Sequence, residues 1–398
     1  MLGPLLLTHG CGLVWLGEPV TSPDVTTSTR RPLPAMLVAA IVSLALGYVV
    51  LEIVNAGIEF IWEQVPNTWD TTPAWYVLGV LLIAAVLVYV IRRYVADTGH
   101  SPMGGIKISP LTPAEYLGAI LAILASLWGG IVLGPEVALV ATGSVVGGVI
   151  ARLMGVRDAP GTKKVVGFGA LGGILALFVG PILSGSVTLG ETPTAIEVDQ
   201  LAWAIPLALI AAAAVTLARL VAALIARTTG YGPNLVVLIT AAVIIGVTAL
   251  LMNAWTGEPV IYVTTSGEEL ITDLPTLTSV SSVVAIIVLK SIAYAVSLGA
   301  GFRGGPFFPA MFIGASSGLL IALVLPDGPS VPAALVVGVV ASVIATAPMK
   351  WPVAIGLGIV IGFLMGTWTL VPAAVVGAIV ARAIPRLGDR ITMPAHAD

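Results

Sequence analysis

Leu133-Gly134-Pro135-Glu136 and Gly304-Gly305-Pro306-Phe307 are the two stretches on which the reading of this chain turns. Each is a Gly-Pro turn that opens an apolar helix. Two more glycines follow each turn at the same spacing, Gly143 and Gly147 in the first half, Gly314 and Gly318 in the second. Proline suits the first turn of a helix, where its missing N–H is not needed. Glycine before it lets a ligand approach the backbone closely. The helix N-terminus then offers unpaired N–H groups and a partial positive charge, an anion site built without Lys or Arg. Paired interrupted segments in corresponding halves are the usual sequence pointer to a transporter's binding site. The plainer alternative is close helix packing in a chain that holds 45 glycines in 398 residues.

Glu136 follows Pro135 directly, and no other charged residue lies between Glu115 and Arg152. A carboxylate so deep in an apolar stretch is costly, which makes it a functional candidate. In the first turn of a helix it is favoured by the dipole and competes for the place an anion would take. Such a group can act as a gate and as a proton carrier, or simply cap its own helix. Glu191, after Pro181-Ile182-Leu183-Ser184-Gly185, is a candidate inner proton relay to Glu136. It reads equally well as an ordinary acid at a membrane boundary beside Glu197 and Asp199.

The rest of the chain sets the scale. It is 58% hydrophobic and 9% charged, against about 25% charged in a soluble domain. Most of it must face lipid or other spans. Apolar stretches at 34–62, 73–95, 113–132, 137–154, 164–183, 201–226, 233–255, 280–298, 306–325, 331–347, 351–368 and 371–385 read as helices of unequal length. The expected fold is therefore an all-α polytopic membrane protein. Residues 1–32 read as a flexible N-terminal tail, 33–387 as the membrane domain in two halves (33–228 and 232–387), and 388–398 as a C-terminal tail, with no regulatory module expected after it. Basic residues flank the first two spans (Arg30, Arg31, Arg92, Arg93) and the last (Arg382, Arg386, Arg390), which puts both termini in the cytoplasm. The connection 256–279 is acidic and lacks Lys and Arg, as suits the outer side.

One cysteine, Cys11, rules out an internal disulfide framework. There is no HExxH zinc motif and no Walker loop, so neither a metal nor another cofactor is expected. A net charge of -3 gives no reason to expect nucleic acid. Intramembrane proteolysis would need a Ser/His pair, an Asp pair or a metal motif inside the spans, and none is present, so the chain does not read as an enzyme.

The stretch Lys290 to Pro309, KSIAYAVSLGAGFRGGPFFP, resembles the Lys-containing helix and GxxGGxFxP signature of the CLC chloride channels and proton-coupled chloride transporters. Gly130 to Glu136 resembles the GREGP region of that family, with Glu136 where the gating glutamate stands. Gly99-His100-Ser101-Pro102-Met103 is a weaker match to GSGIP. The resemblance spans residues 34–387. It implies an inverted repeat of many tilted helices and a homodimer in the plasma membrane with one pore per subunit. It implies anion contacts at Ser101, Gly134, Pro135, Val137, Gly305, Pro306, Phe307 and Phe308, and an inner proton glutamate near Glu191. The sequence also departs from the pattern. Pro135 replaces the basic residue before the gating glutamate, Val137-Ala138 replaces Gly-Pro, and His100 introduces a possible donor. The anion-coordinating Tyr has no copy, and Thr367 and Trp368 stand where it should be.

The expected function is transport of small inorganic anions, chloride first, as chloride/proton exchange gated by Glu136. A passive anion channel of the same fold and a non-transporting membrane scaffold or sensor are the alternatives.

Overall fold

A computed structural model describes residues 32–384 apart from 70, 98–102, 104–111, 179–197, 231, 326–327 and 348. The described chain is helical: α1 Leu33–Glu59, α2 Ala74–Val90, α3 Pro113–Trp128, α4 Glu136–Leu153, α5 Ala159–Leu175, α6 Ala204–Thr229, α7 Leu235–Thr256, α8 Val280–Gly299, α9 Phe307–Val324, α10 Val331–Thr346 and α11 Trp351–Ala383. Single π turns, Phe60–Gln64 and Ile91–Val95, extend α1 and α2. Among the described residues, seven helical segments are long and apolar enough to cross a bilayer. α3, α5 and α10 are shorter, 16, 17 and 16 residues, as expected where helices stop at membrane depth inside protein.

The helix starts are written locally. Thr112 and Glu115 close a capping box at the start of α3. Asp158, Asn234 and Ser279 accept backbone N–H bonds at the starts of α5, α7 and α8. Pro sits in the first turn of α1, α3, α5, α10 and α11.

Three boundaries differ from the sequence reading. The helix expected at 113–132 stops at Trp128, because Gly129 ends it and Gly130 turns the chain with φ +77°. The helix expected from 164 begins at Ala159, started by the Asp158 cap and Pro160. The two helices expected at 351–368 and 371–385 are one, α11, with Pro372 inside it. Neighbouring helices and local adjustment let a membrane helix tolerate an internal proline.

Packing follows membrane logic: small residues inward, large ones toward lipid. The buried stripe of α1 is Ala35, Ala39, Ser43, Gly47, Leu51, Val54 and Ile58, while Leu37 and Ile41 are exposed. α10 is buried from Ala333 to Ile344. The two halves build matching helix pairs, α4 on α5 and α9 on α10. In the first pair a Cβ on Gly143 would overlap the Gly169 carbonyl. In the second a Cβ on Gly314 would overlap the Gly338 carbonyl. The later glycines of each repeat thus serve backbone-to-backbone packing, and the Gly-Pro turns serve the site.

The connection between α7 and α8 is acidic, as the sequence suggested, but it folds inward. Val260 to Gly267 is buried through short 3-10 turns. Thr265, at φ 58°, donates its N–H to the Gly130 carbonyl at 3.0 Å.

Candidate functional site

The Gly-Pro turns meet at the centre of the molecule. Gly134 and Gly305 exchange both backbone hydrogen bonds, at 2.8 and 2.7 Å, as an isolated antiparallel bridge. Residues of one half match residues of the other at an offset of 171, the separation of Glu136 and Phe307. Gly134 and Gly305 are such equivalents, and so are Gly143 and Gly314. Equivalent residues that bond each other reciprocally mark a local two-fold axis.

Further reciprocal contacts obey the same offset. The Val132 N–H donates to Ser297 Oγ at 3.2 Å, and the Arg303 N–H donates to Ser126 Oγ at 3.2 Å. Each serine hydroxyl in turn donates to a carbonyl one turn back in its own helix, Ala293 and Ala122. Tyr294, fully buried in α8, donates its hydroxyl to the Pro306 carbonyl at 2.7 Å and fixes the second turn. The two helix N-termini, α4 and α9, are thereby held against each other at a fixed spacing.

Glu136 is the first residue of α4 and is 1% exposed. Its Oε1 accepts the backbone N–H of Phe307, the first residue of α9, at 2.5 Å. Its own carboxylate thus sits on the N-terminus of the equivalent helix in the other half. Oε2 is buried and has no hydrogen-bond partner among the described residues. Cβ atoms on Gly305 and Gly134 would overlap Oε1 and Oε2 respectively, so both glycines are needed to make the seat. The arrangement brings together six predicted residues: Gly134, Pro135, Glu136, Gly305, Pro306 and Phe307. Val137 and Phe308 are buried in the first turns of the same two helices. A carboxylate held by helix N–H groups, with its second oxygen unpaired, occupies a place that a small free anion could take.

Other expected residues lie elsewhere. His100, Ser101 and Glu191 fall outside the described residues. Thr367 is on α11, with its side chain outside the described set, and Trp368 is on the exposed surface of α11, 69% exposed and stacked near Phe363.

Several groups near the site were given no site role by the sequence. Lys290, fully buried, donates to the carbonyls of Tyr262, Thr264 and Thr265 at 3.1–3.3 Å and lies 4.6 Å over the Phe312 ring. Carbonyl dipoles and a ring face replace a carboxylate partner there. Glu268 is half-buried in the α7–α8 connection, and burial first, then the Glu136 and Glu269 charges, push its carboxyl up to about 8. Arg303 and Arg92 are buried behind the second turn and share Asp97. Lys290 and Arg303 lie in the Lys290–Pro309 stretch already quoted, but only spatial placement reveals what these groups contact.

Among the described residues, seven bilayer-length helices around paired helix N-termini define a multi-pass membrane protein. The family model for voltage gated chloride channels matches residues 176–386, more than half of the chain. The chain belongs to the voltage gated chloride channel family. It is 26% identical over 365 residues to YfeO of Escherichia coli (strain K12 / DH10B), named as a candidate ion-transport protein, covering 79% of this chain and 84% of that protein. Its fold is similar to that of a slow cyanobacterial Cl-/H+ antiporter, with a TM-score of 0.71, 16% identity, and coverage of 89% of this chain and 93% of the other. It is also similar to a CLC-type fluoride/proton antiporter, with a TM-score of 0.65, 15% identity, and coverage of 89% and 96%. The protein is therefore a CLC-type anion-transporting membrane protein.

Proposed function

We propose that this protein exchanges chloride for protons across the plasma membrane, with Glu136 as both gate and proton carrier. The observation that carries the reading is the Glu136 carboxylate seated on the Phe307 N–H with its second oxygen buried and unpaired. When ionised, the side chain fills the anion seat. When protonated, it loses the charge that holds it there and yields the seat to chloride. One group then couples two ions, because the proton and the anion displace each other's bound state. The similarity to antiporters of chloride and of fluoride supports this class of ion and leaves chloride as the first of several small anions to test.

The remaining assignments rest on the family pattern. Ser101 and His100 are assigned the anion contact in the α2–α3 connection, Glu191 the passing of protons between the cytoplasm and Glu136, and Thr367 stands in the sequence where the family has its tyrosine. The active unit is a homodimer, one pathway per subunit, with both termini in the cytoplasm. The basic end of α2 and the acidic connections at 59–63 and 257–273 give the orientation by the positive-inside bias.

The test is chloride efflux from liposomes in wild type, Glu136→Gln and Glu191→Gln, with external pH recorded. The exchanger reading requires proton movement in wild type and none in either variant, while chloride flux continues. Chloride flux without proton movement in wild type makes the protein a passive channel, and no flux of any small anion leaves a scaffold.

A further inference from the structure

Glu136 is buried, so a proton on it has no direct way to solution in this structure. The stretch Val260–Gly267, itself buried throughout, packs against the elements that hold it. Thr265 donates its N–H to the carbonyl of Gly130, at the start of the segment that leads to Glu136. A Cβ on Gly267 would come within 2.8 Å of the Phe312 ring and 3.0 Å of Lys290 Nζ. Phe312 lies five residues into α9 past Phe307, about 7.5 Å along the helix from the N–H that seats Glu136.

Glu268 is the first residue after this buried stretch to reach solvent. It lines a surface cleft of about 310 Å³ together with Asn55, Glu63, Thr265, Ser266 and Glu269. At the offset of 171 it is the equivalent of Asp97. The two halves thus place a carboxylate at the same position but in opposite company. Asp97 lies 2.7 and 2.8 Å from Arg92 and Arg303. The charges that act on Glu268 are those of Glu136, from α4, and Glu269, from its own turn. Glu52 of α1, with Glu59 and Glu63 at its end, acts in turn on Glu269, and Asp273 acts on Glu63. Lys290 of α8 stands behind the buried stretch, with its ammonium on the carbonyls of Tyr262, Thr264 and Thr265. Burial, then the two neighbouring acids, push the Glu268 carboxyl up to about 8. A carboxyl poised there both takes and gives up protons near neutral pH. Its position between a buried carboxylate and an open cleft gives that ability a use.

We propose that Glu268 is the proton-transfer group that links Glu136 to the solution on the acidic side. A proton leaving Glu136 goes to the Glu268 carboxylate, so that Glu136 is ionised in its seat and Glu268 is neutral. Glu268 then releases the proton to water in the cleft, and the reverse sequence loads Glu136. The proposal rests on the proton-exchange reading and adds a residue to it.

The experiment records chloride-driven proton movement in liposomes held at equal pH on both sides, over a range that spans about pH 8. It compares wild type, Glu268→Gln, Glu268→Asp and Glu269→Gln, with size-exclusion profiles to check folding. In wild type the proton rate holds up to about pH 8 and falls above it, as Glu268 loses its proton. In Glu268→Gln, Glu136 must take protons directly from solution, so the rate falls with proton concentration through the whole range. At neutral pH it is down by about 100-fold, the lower end of what a positioned proton-transfer side chain contributes. Glu268→Asp recovers most of the rate and the wild-type profile, which a purely structural role would not require. Glu269→Gln, one residue away and exposed, keeps that profile. A Glu268→Gln profile that matches wild type, or a Glu268→Asp rate no higher than that of Glu268→Gln, overturns the proposal. If the variants do not fold, the wild-type profile decides: a proton rate already falling through neutral pH overturns it. Wild type that passes chloride without protons is a separate outcome, which overturns the proton-exchange reading and this proposal with it.

Discussion

Replacing Glu136 by Ala removes the occupant of the central seat and leaves the seat intact. Gly134, Gly305 and the Phe307 N–H stay where they are, because their mutual bridge and the Tyr294 hydroxyl hold them without the carboxylate. In wild type, chloride must displace Oε1 from the Phe307 N–H, a contact of 2.5 Å. A hydrogen bond to a charged group is worth about 1.5–3 kcal/mol. At about 1.4 kcal/mol per factor of ten, that competition weakens apparent chloride binding by about 10- to 150-fold. Glu136→Ala therefore binds chloride more tightly by that factor, in a calorimetric titration of purified protein at a pH where the carboxylate is ionised. Its flux in liposomes loses pH dependence. If the variant binds chloride no more tightly than wild type, the carboxylate does not occupy the anion's place and the gate is wrong.

Gly305→Ala puts a methyl group into the seat itself, where it overlaps Oε1; halide flux assays on liposomes should show all flux reduced, bromide more than fluoride. Gly338→Ala forces α9 and α10 apart, since the two Gly backbones at 314 and 338 are in contact; overpacking of this kind costs about 1–3 kcal/mol, read as a lowered melting temperature of the solubilised protein. Glu268 has a folded-state value of about 8, above its unfolded value of about 4.3. The folded state then holds the extra proton, so stability falls as pH rises from about 4.3 to 8. Glu268→Gln removes that loss: it should melt higher than wild type at pH 8 and equally below about pH 4. A wild-type advantage at pH 8 would reverse the sign and contradict it.

Much of this was legible because it lies on one segment of chain. The Gly-Pro turns at 134–135 and 305–306, the first-turn Glu136 and the helix starts after Thr112 and Ser279 are written in neighbouring residues, and each needs only local chemistry to be read. The internal repeat was legible for the same reason, although its meaning was divided: Gly143 and Gly314 turned out to pack helices, while Gly134 and Gly305 shape the seat. What sequence could not give was pairing across the molecule. That Glu136 lies on Phe307 requires the two halves to be folded face to face, and no spacing rule brings residues 171 apart into contact. The Arg92–Asp97–Arg303 cluster and the carbonyl cage of Lys290 were invisible for the same reason, since their members come from separate elements. Pro372 misled in the opposite sense: a local helix breaker was overridden by packing within the membrane.

The most direct test of the central claim is simultaneous recording of chloride efflux and external pH from liposomes that contain the wild-type protein. The account requires chloride leaving down its gradient to drive protons inward against theirs, and that movement to vanish in Glu136→Gln while chloride still flows. Chloride efflux in wild type with no accompanying proton movement would contradict it.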